Sequence, residues 1–261
     1  MQISPMWTDQ DVLDAAAEWT WVPDGSRVSD GDVTLIQRPT WVRGHVAVER
    51  VSSARPAADL IDEASARARA WGDDALEWAV SERDDAAIAR ELQDRGAEVI
   101  ERLDVLALPL TAEQVPATPP GVAVRRVDSR ADVLAIGAIN VAVWDNAHPD
   151  DARVEEVLAE LHSGTGFRVV ASLDGRAVAT GGVTLAQGSR GMVARLWGAA
   201  TIEEARGRGA YRAVLAERLR LAAEAGATLA LVKGRVATSA PILKRAGFHR
   251  YGGERRFRLP L

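Results

Sequence analysis

The sequence predicts an α+β chain of two bodies built alike, each a mixed, mostly antiparallel sheet flanked by helices. Three observations carry this. Residues 111–121 (TAEQVPATPPG) hold three prolines and no apolar periodicity, which is how a linker reads. On either side the chain repeats itself: Leu92, Arg95-Gly96 and Leu108-Pro109-Leu110 recur as Leu243, Ala246-Gly247 and Leu259-Pro260-Leu261, each 151 residues on. In each copy a helix ending at glycine precedes a short apolar strand. A helix–Gly–strand unit is common and a matched LPL can be chance, but the constant offset over several anchors favours duplication. The first body then spans 1–110, the linker 111–121 and the second body 122–261.

At 261 residues there is room for two ordinary domains, and 47% hydrophobic with 26% charged residues is a globular composition. The net charge of -5 weighs against a nucleic-acid partner, which asks for a basic excess or stripe. Of 32 basic residues only Lys233 and Lys244 are lysines, and the abundance of Arg, Ala and Asp reads as codon usage rather than function. Cysteine is absent, which excludes disulfides, thiolate metal sites and a cysteine nucleophile. No basic stretch followed by an apolar run opens the chain, and its apolar runs fall far short of the ~20 residues that span a bilayer. The expectation is a cytoplasmic protein with no membrane partner.

In the first body an amphipathic helix over 57–71 stops at Gly72, which takes the left-handed cap conformation without a side-chain clash; the strand 75–80 (ALEWAV) follows. The second body opens with a strand at 122–127. Ser129 suits the cap of a helix to about residue 143, and a second helix follows the Asp150-Asp151 turn and ends near His162-Ser163-Gly164. Strands at 167–173 and 177–185 join through Asp174-Gly175, a tight-hairpin pair. A loop at 187–191 leads to a strand over 193–201. A Gly-rich loop, a helix over 210–225, a strand at 228–232, a helix over 239–246 and a last strand at 255–261 complete the chain. The crossover through the long helix makes strands 193–201 and 228–232 parallel in an otherwise antiparallel run.

The chemistry gathers in the Gly-rich loop, Arg206-Gly207-Arg208-Gly209-Ala210-Tyr211. Gly207 and Gly209 carry no Cβ, so backbone amides can close on a bulky oxyanion. The helix beginning at Ala210 points its positive end and unpaired amides into the same space, and Arg206 and Arg208 add charge. Together these make a pyrophosphate site; the bland alternative is a solvated basic turn. A mononucleotide P-loop fails, because Ala210-Tyr211-Arg212 stands where Lys-Ser/Thr is required. A dinucleotide fingerprint fails too, because Arg212 replaces its third glycine and an antiparallel run precedes the loop.

In this loop the sequence resembles the GNAT superfamily of acyl-CoA-dependent N-acetyltransferases, whose central motif (Q/R)-x-x-G-x-(G/A) is matched by Arg206-x-x-Gly209-x-Tyr211. A second resemblance follows in order: Ser239-Ala240-Pro241-Ile242-Leu243-Lys244-Arg245-Ala246-Gly247-Phe248 is similar to the family's A-x-x-L-Y-x-K-x-G-F helix, and 122–261 has the family's length. The resemblance implies two GNAT-like domains and acetyl-CoA as acyl donor. It also implies direct attack by an amine in a ternary complex, the acceptor being a small molecule or a peptide. Backbone of Ala199, Ala200 and Thr201 would pair with the pantetheine arm, and an amide there would polarise the carbonyl oxygen. Amides of Gly207, Arg208, Gly209, Ala210 and Tyr211 would hold the pyrophosphate, with Arg206 and Arg212 near the phosphates. The two parallel strands would splay to admit the thioester.

Three positions depart from the pattern. Tyr211 replaces a small residue and crowds the loop. The family's frequent tyrosine, which protonates the leaving thiolate, falls on Leu243, and its frequent asparagine falls on Val236. The runner-up reading is therefore a catalytically weak acyl-CoA-binding or sensing module, and a third is transfer to a hydroxyl.

The first body's equivalent loop, 51–57 (VSSARPA), has no glycine, and Pro56 lacks an amide, so this half is expected not to bind CoA. It reads as a structural partner shaping the substrate cleft or as a separate ligand-binding module. Its tryptophans, Trp7, Trp19, Trp21, Trp41, Trp71 and Trp78, either line a pocket or fill core and interface. The family meets its acceptor at the loop between the first two helices, here 143–151 (VWDNAHPDD). Imidazole exchanges a proton near neutral pH, so His148 suits deprotonation of an ammonium that Asp145 binds. The alternative is a capping turn, with Asn146 ending one helix, Pro149 at a start and Asp150 or Asp151 capping the next. Glu203 and Glu204 read as caps or solvated groups. No His/Asp/Glu spacing suggests a metal, and the oligomeric state is open between monomer and homodimer.

Overall fold

The computed structural model describes residues 7–40, 42, 44–84, 86–110 and 118–261. In chain order the described elements are α1 (Asp9–Ala17), β1 (Arg27–Ser29), β2 (Val33–Gln37), β3 (Val46–Val51), α2 (Ala57–Ala70), β4 (Ala75–Ser81), α3 (Ala86–Asp94) and β5 (Glu98–Pro109). After residues 111–117, where most of the expected linker lies outside the described residues, come β6 (Ala123–Arg126), α4 (Arg130–Trp144), α5 (Asp151–His162), β7 (Gly166–Leu173), β8 (Arg176–Gly188) and β9 (Gly191–Thr201). A 3-10 turn (Glu203–Ala205), α6 (Ala210–Glu224), β10 (Ala227–Arg235), α7 (Ser239–Arg245) and β11 (His249–Pro260) close it.

The chain forms two compact units that are not its contiguous halves. One, here the C-terminal unit, comprises Met1–Ala15, Ala107–Lys233 and Ala246–His249; the other, the N-terminal unit, comprises Ala16–Leu106, Gly234–Arg245 and Arg250–Leu261. The ranges 1–110 and 122–261 read from the sequence therefore differ from the compact units at both ends: residues 1–15 fall in the C-terminal unit, while 234–245, with α7, and 250–261, with the last strand, fall in the N-terminal unit. Alternating residues identify a strand but not its neighbour. Phe257 and Leu259 of β11 pack in one core with Leu35, Val48, Leu60, Leu76 and Trp78.

In the N-terminal unit the strand order is β1-β2-β3-β4-β11-β5. β3 and β4 run parallel with Val46, Ala47 and Val48 opposite Leu76, Glu77 and Trp78, and β11 lies antiparallel to β4 from Glu254↔Ser81 to Pro260↔Ala75. β11 starts at His249, well before the expected 255, because its charged residues mask the pattern. They are neutralised in place: Arg256 pairs with Glu49, and Arg258 with Glu77 at 2.8 Å.

In the C-terminal unit the order is β10-β9-β8-β7-β6. Antiparallel pairings join β6 to β7, β7 to β8 and β8 to β9, while β9 and β10 are parallel. The β7–β8 turn is the expected one, with positive φ at Asp174 (50°) and Gly175 (78°). Helix α4 is capped by Ser129, whose hydroxyl accepts the Asp132 N–H at 3.2 Å and donates to the Asp132 carboxylate at 2.9 Å. Asp150 caps α5 by accepting from the Arg153 N–H at 2.8 Å. At the other end of α4 Asp145, not Asn146, takes the left-handed cap (φ 53°), since its short side chain tolerates αL. Ser129→Ala removes both bonds to Asp132, so urea unfolding is expected to show a loss of about 1–2 kcal/mol with an unchanged m-value.

Candidate functional site

Strands β9 and β10 are in register only from Ala227↔Met192 to Leu231↔Arg195. β9 continues to Thr201 and β10 continues beyond Leu231, so past this point the two parallel strands part. On its other edge β9 stays paired with β8, but Gly182 faces Trp197 while Thr180 faces Ala200. Two residues, Gly198 and Ala199, thus oppose the single Gly181. That count is a β-bulge, and Gly198 adopts the positive φ (60°) such a kink favours. A bulge frees backbone groups from the ladder, here beside Ala199, Ala200 and Thr201. The Thr201 hydroxyl is buried, with no hydrogen-bond partner among the described residues.

The chain leaves β9 through Ile202 and the 3-10 turn and reaches the glycines. Gly207 (φ 74°) and Gly209 (φ 87°) both sit in the left-handed region. Gly209 is the residue before α6, and the first rung of that helix is Ala213 N–H to Gly209 C=O at 3.0 Å. The amides of Ala210, Tyr211 and Arg212 thus precede the ladder, and no side chain caps the helix. A Cβ on Gly209 would stand 3.3 Å from Pro119 and 3.8 Å from the Arg212 guanidinium, so the arginine folds back over the glycine. Arg206, Arg208 and Arg212 are exposed. Arg208 is partly engaged: its amide donates to Ala205 at 3.4 Å and its guanidinium reaches Asp174 at 3.4 Å.

Tyr211 is half-buried, and the Arg218 guanidinium, two turns further along α6, is near enough to act on its phenol. Burial pushes the phenol up and the neighbouring guanidinium only partly offsets this. Arg218 itself is 2% exposed. The sequence held its signal: among Tyr211, Val214, Leu215, Leu219 and Ala222, an arginine stands on the buried stripe of the helix.

The α4–α5 segment returns across α4, where a Cβ on Gly137 would stand 2.6 Å from Pro149. Asp145 and His148 are both exposed on it. Leu243 is buried in the N-terminal unit, close to where a Cβ on Gly234 would lie, and Val236 is largely exposed. The tryptophans do not gather. Trp7 donates to Thr228 at 3.1 Å in the C-terminal unit, Trp78 is core in the N-terminal one, and Trp71 and Trp21 lie under Arg27 and Arg38; Trp41 is outside the described residues. One group that spacing did not reveal is His45, Asp73 and Asp74, with ligand-type atoms within 4.8 Å of one another. Asp73 already accepts from His45 at 2.7 Å and from the Val46 amide at 2.8 Å.

The N-terminal unit repeats the parting of parallel strands, since β3 leaves β4 after Val48 and Trp78. The next residue there is Glu49, held at its first oxygen by Arg38 at 2.5 Å and at both oxygens by Arg256 at 3.2 Å. Helix α2 begins after Pro56, with no glycine in the approach.

No protein-family model matches the sequence, and no curated protein matches it. Solved structures do. A GCN5-related N-acetyltransferase from Kribbella flavida superposes with a TM-score of 0.64 at 21% identity, covering 97% of this chain and 92% of that one. A functionally unknown conserved protein from Staphylococcus epidermidis gives 0.65 at 12% identity, covering 94% and 100%. A tandem GNAT protein from the clavulanic acid biosynthesis pathway gives 0.62 at 15% identity, covering 95% and 87%. The chain has the fold of the GCN5-related N-acetyltransferases.

Proposed function

We propose that the chain is an N-acetyltransferase that takes its acyl group from acetyl-CoA and passes it to an amine, with one site, in the C-terminal unit. The observation that carries this is the parting of β9 from β10 beside a bulge, followed by a glycine loop that opens onto the uncapped start of α6. The donor set suits a pyrophosphate: Gly207, Gly209, Ala210 and Tyr211 offer amides, Arg206 and Arg212 offer charge, and Arg208 is partly committed to Ala205 and Asp174. The Ala199–Thr201 backbone suits an amide-bearing arm, and the unpartnered Thr201 hydroxyl lies at its end. When bound, acetyl-CoA supplies a thioester carbonyl open to attack by a neutral amine. Asp145 holds the incoming ammonium, His148 accepts its proton, and an amide at the bulge faces the developing oxyanion. With Leu243 in place of a tyrosine, a water returns the proton to the leaving sulfur. The first half, with Glu49 clamped at its strand fork and Pro56 in its loop, does not bind CoA. The acceptor is a small amine or a peptide, and the protein acts as a monomer or homodimer.

A second reading, an acyl-CoA sensor without turnover, is favoured by leucine at 243 and valine at 236. Calorimetric titration of acetyl-CoA, then mass analysis of an amine panel, separates the two. Micromolar binding with amide product that resists hydroxylamine supports transfer, and His148→Gln is expected to lower kcat/KM by ~100-fold or more. Binding without product favours the sensor; a folded protein that binds no acetyl-CoA ends both readings.

A further inference from the structure

Arg218 is a fully buried guanidinium for which no carboxylate partner is found among the described residues. A buried, unpaired cation is costly, and the other buried positions of α6, among them Val214, Leu215, Leu219 and Ala222, are apolar, so packing alone would favour leucine or methionine there. Its partners are specific. One nitrogen reaches the carbonyl oxygens of Gly182 at 3.4 Å and Trp197 at 3.5 Å. Gly182 and Trp197 are the last paired residues before the Gly198-Ala199 bulge. The niche is kept open from the sheet: a Cβ on Gly181, the residue opposite the bulge, would stand 2.9 Å from the guanidinium carbon.

A bulge locally disrupts the ladder, and a buried carbonyl left without a donor costs free energy, so a donor supplied beside the bulge stabilises it. We propose that Arg218 is a positioning residue that pins the β9 bulge open from beneath, from the helix that begins at the phosphate loop. The inference rests on the acetyl-transfer reading for its effect on rate, because the pinned amides are those that would face the oxyanion. Its effect on the strand stands without that reading.

The test compares wild type, Arg218→Met and Arg218→Lys as full chains. Amide exchange is followed over 197–201 and over the rest of β8, β9 and α6, with acetyl-CoA titration and kinetics on an amine found active. In Arg218→Met exchange at 197–201 is expected to rise ~10-fold while the remaining strands keep their protection. kcat falls ~100-fold, the loss of one oxyanion donor, with KM for acetyl-CoA within ~3-fold. Arg218→Lys, whose ammonium reaches one carbonyl, recovers part of both. Should Arg218→Met not fold, Gly181→Ala displaces the head group with its charge intact and is expected to show the same local exchange. Unchanged protection at 197–201 in a folded variant, or acceleration spread evenly over the unit, overturns the pin. Local acceleration in a protein that binds no acetyl-CoA upholds the pin and overturns transfer instead.

Discussion

Gly209→Trp is expected to abolish acetyl-CoA binding, with an apparent Kd raised at least ~100-fold, or about 2.7 kcal/mol. Two effects add. Gly209 holds φ at 87°, where a side-chain-bearing residue costs about 1–2 kcal/mol. The indole must also leave along a Cβ direction already 3.3 Å from Pro119 and 3.8 Å from Arg212, which places it over the amides of Ala210, Tyr211 and Arg212. The fold tolerates this because Gly209 is half-exposed and precedes the first rung of α6. Gly207→Ala is the informative control. Its Cβ would meet nothing within 4 Å, so only the backbone strain at φ 74° is paid. Titration of both variants, with circular dichroism to confirm folding, decides the matter. Equal binding by Gly209→Trp and wild type would place the nucleotide elsewhere.

What was legible in the sequence was local. Ser129 and Asp150 announce helix starts because a cap acts over three residues, and Asp174-Gly175 announces a turn because both positions need positive φ. The glycine loop belongs to the same class. Three things escaped because their causes lie far along the chain. The bulge at Gly198-Ala199 is set by what β8 presents opposite it, so residues 193–201 read as a plain strand. Arg218 looks like a flaw in an apolar stripe until its carbonyl partners are known. β11 reads as too charged for a buried strand until Glu49 and Glu77 are brought beside Arg256 and Arg258. The duplication itself was legible, and its two closing strands run from Glu98 to Pro109 and from His249 to Pro260, holding the offset at both ends. Which sheet each strand joins was not, since period-two alternation carries no address.

Replacing Glu49 by Gln is expected to destabilise the N-terminal unit by about 3–5 kcal/mol, the range for breaking a buried ion pair by removing one partner. The carboxylate side chain is 5% exposed and sits between Arg38 and Arg256, themselves 13% and 21% exposed, so the amide would take this charge from Arg38 and leave Arg256 with Glu254 at 3.6 Å. Burial pushes the Glu49 carboxyl up, but the charges of Arg256 and Arg38 together outweigh it and hold the group below its usual value. The sign follows. A carboxyl depressed in the folded state contributes stability that is fully present above its unfolded pKa of about 4.3 and is lost as pH falls through the folded value. Urea unfolding of wild type should therefore weaken between pH 5 and pH 3 by more than that of Glu49→Gln, which has no such proton to take up. Equal slopes would mean that the triad is solvated rather than buried. Replacing Arg38, Glu49 and Arg256 together by Met, Leu and Met recovers part of the stability at neutral pH, because the desolvation cost of three charges disappears while Glu254, 3.6 Å from Arg256, loses that partner. The contrast between the single and triple variants separates two roles for the triad. If the triple variant is stable yet remains unable to bind acetyl-CoA, the absence of glycine around Pro56, and not the plug at the strand fork, is what denies this half a nucleotide.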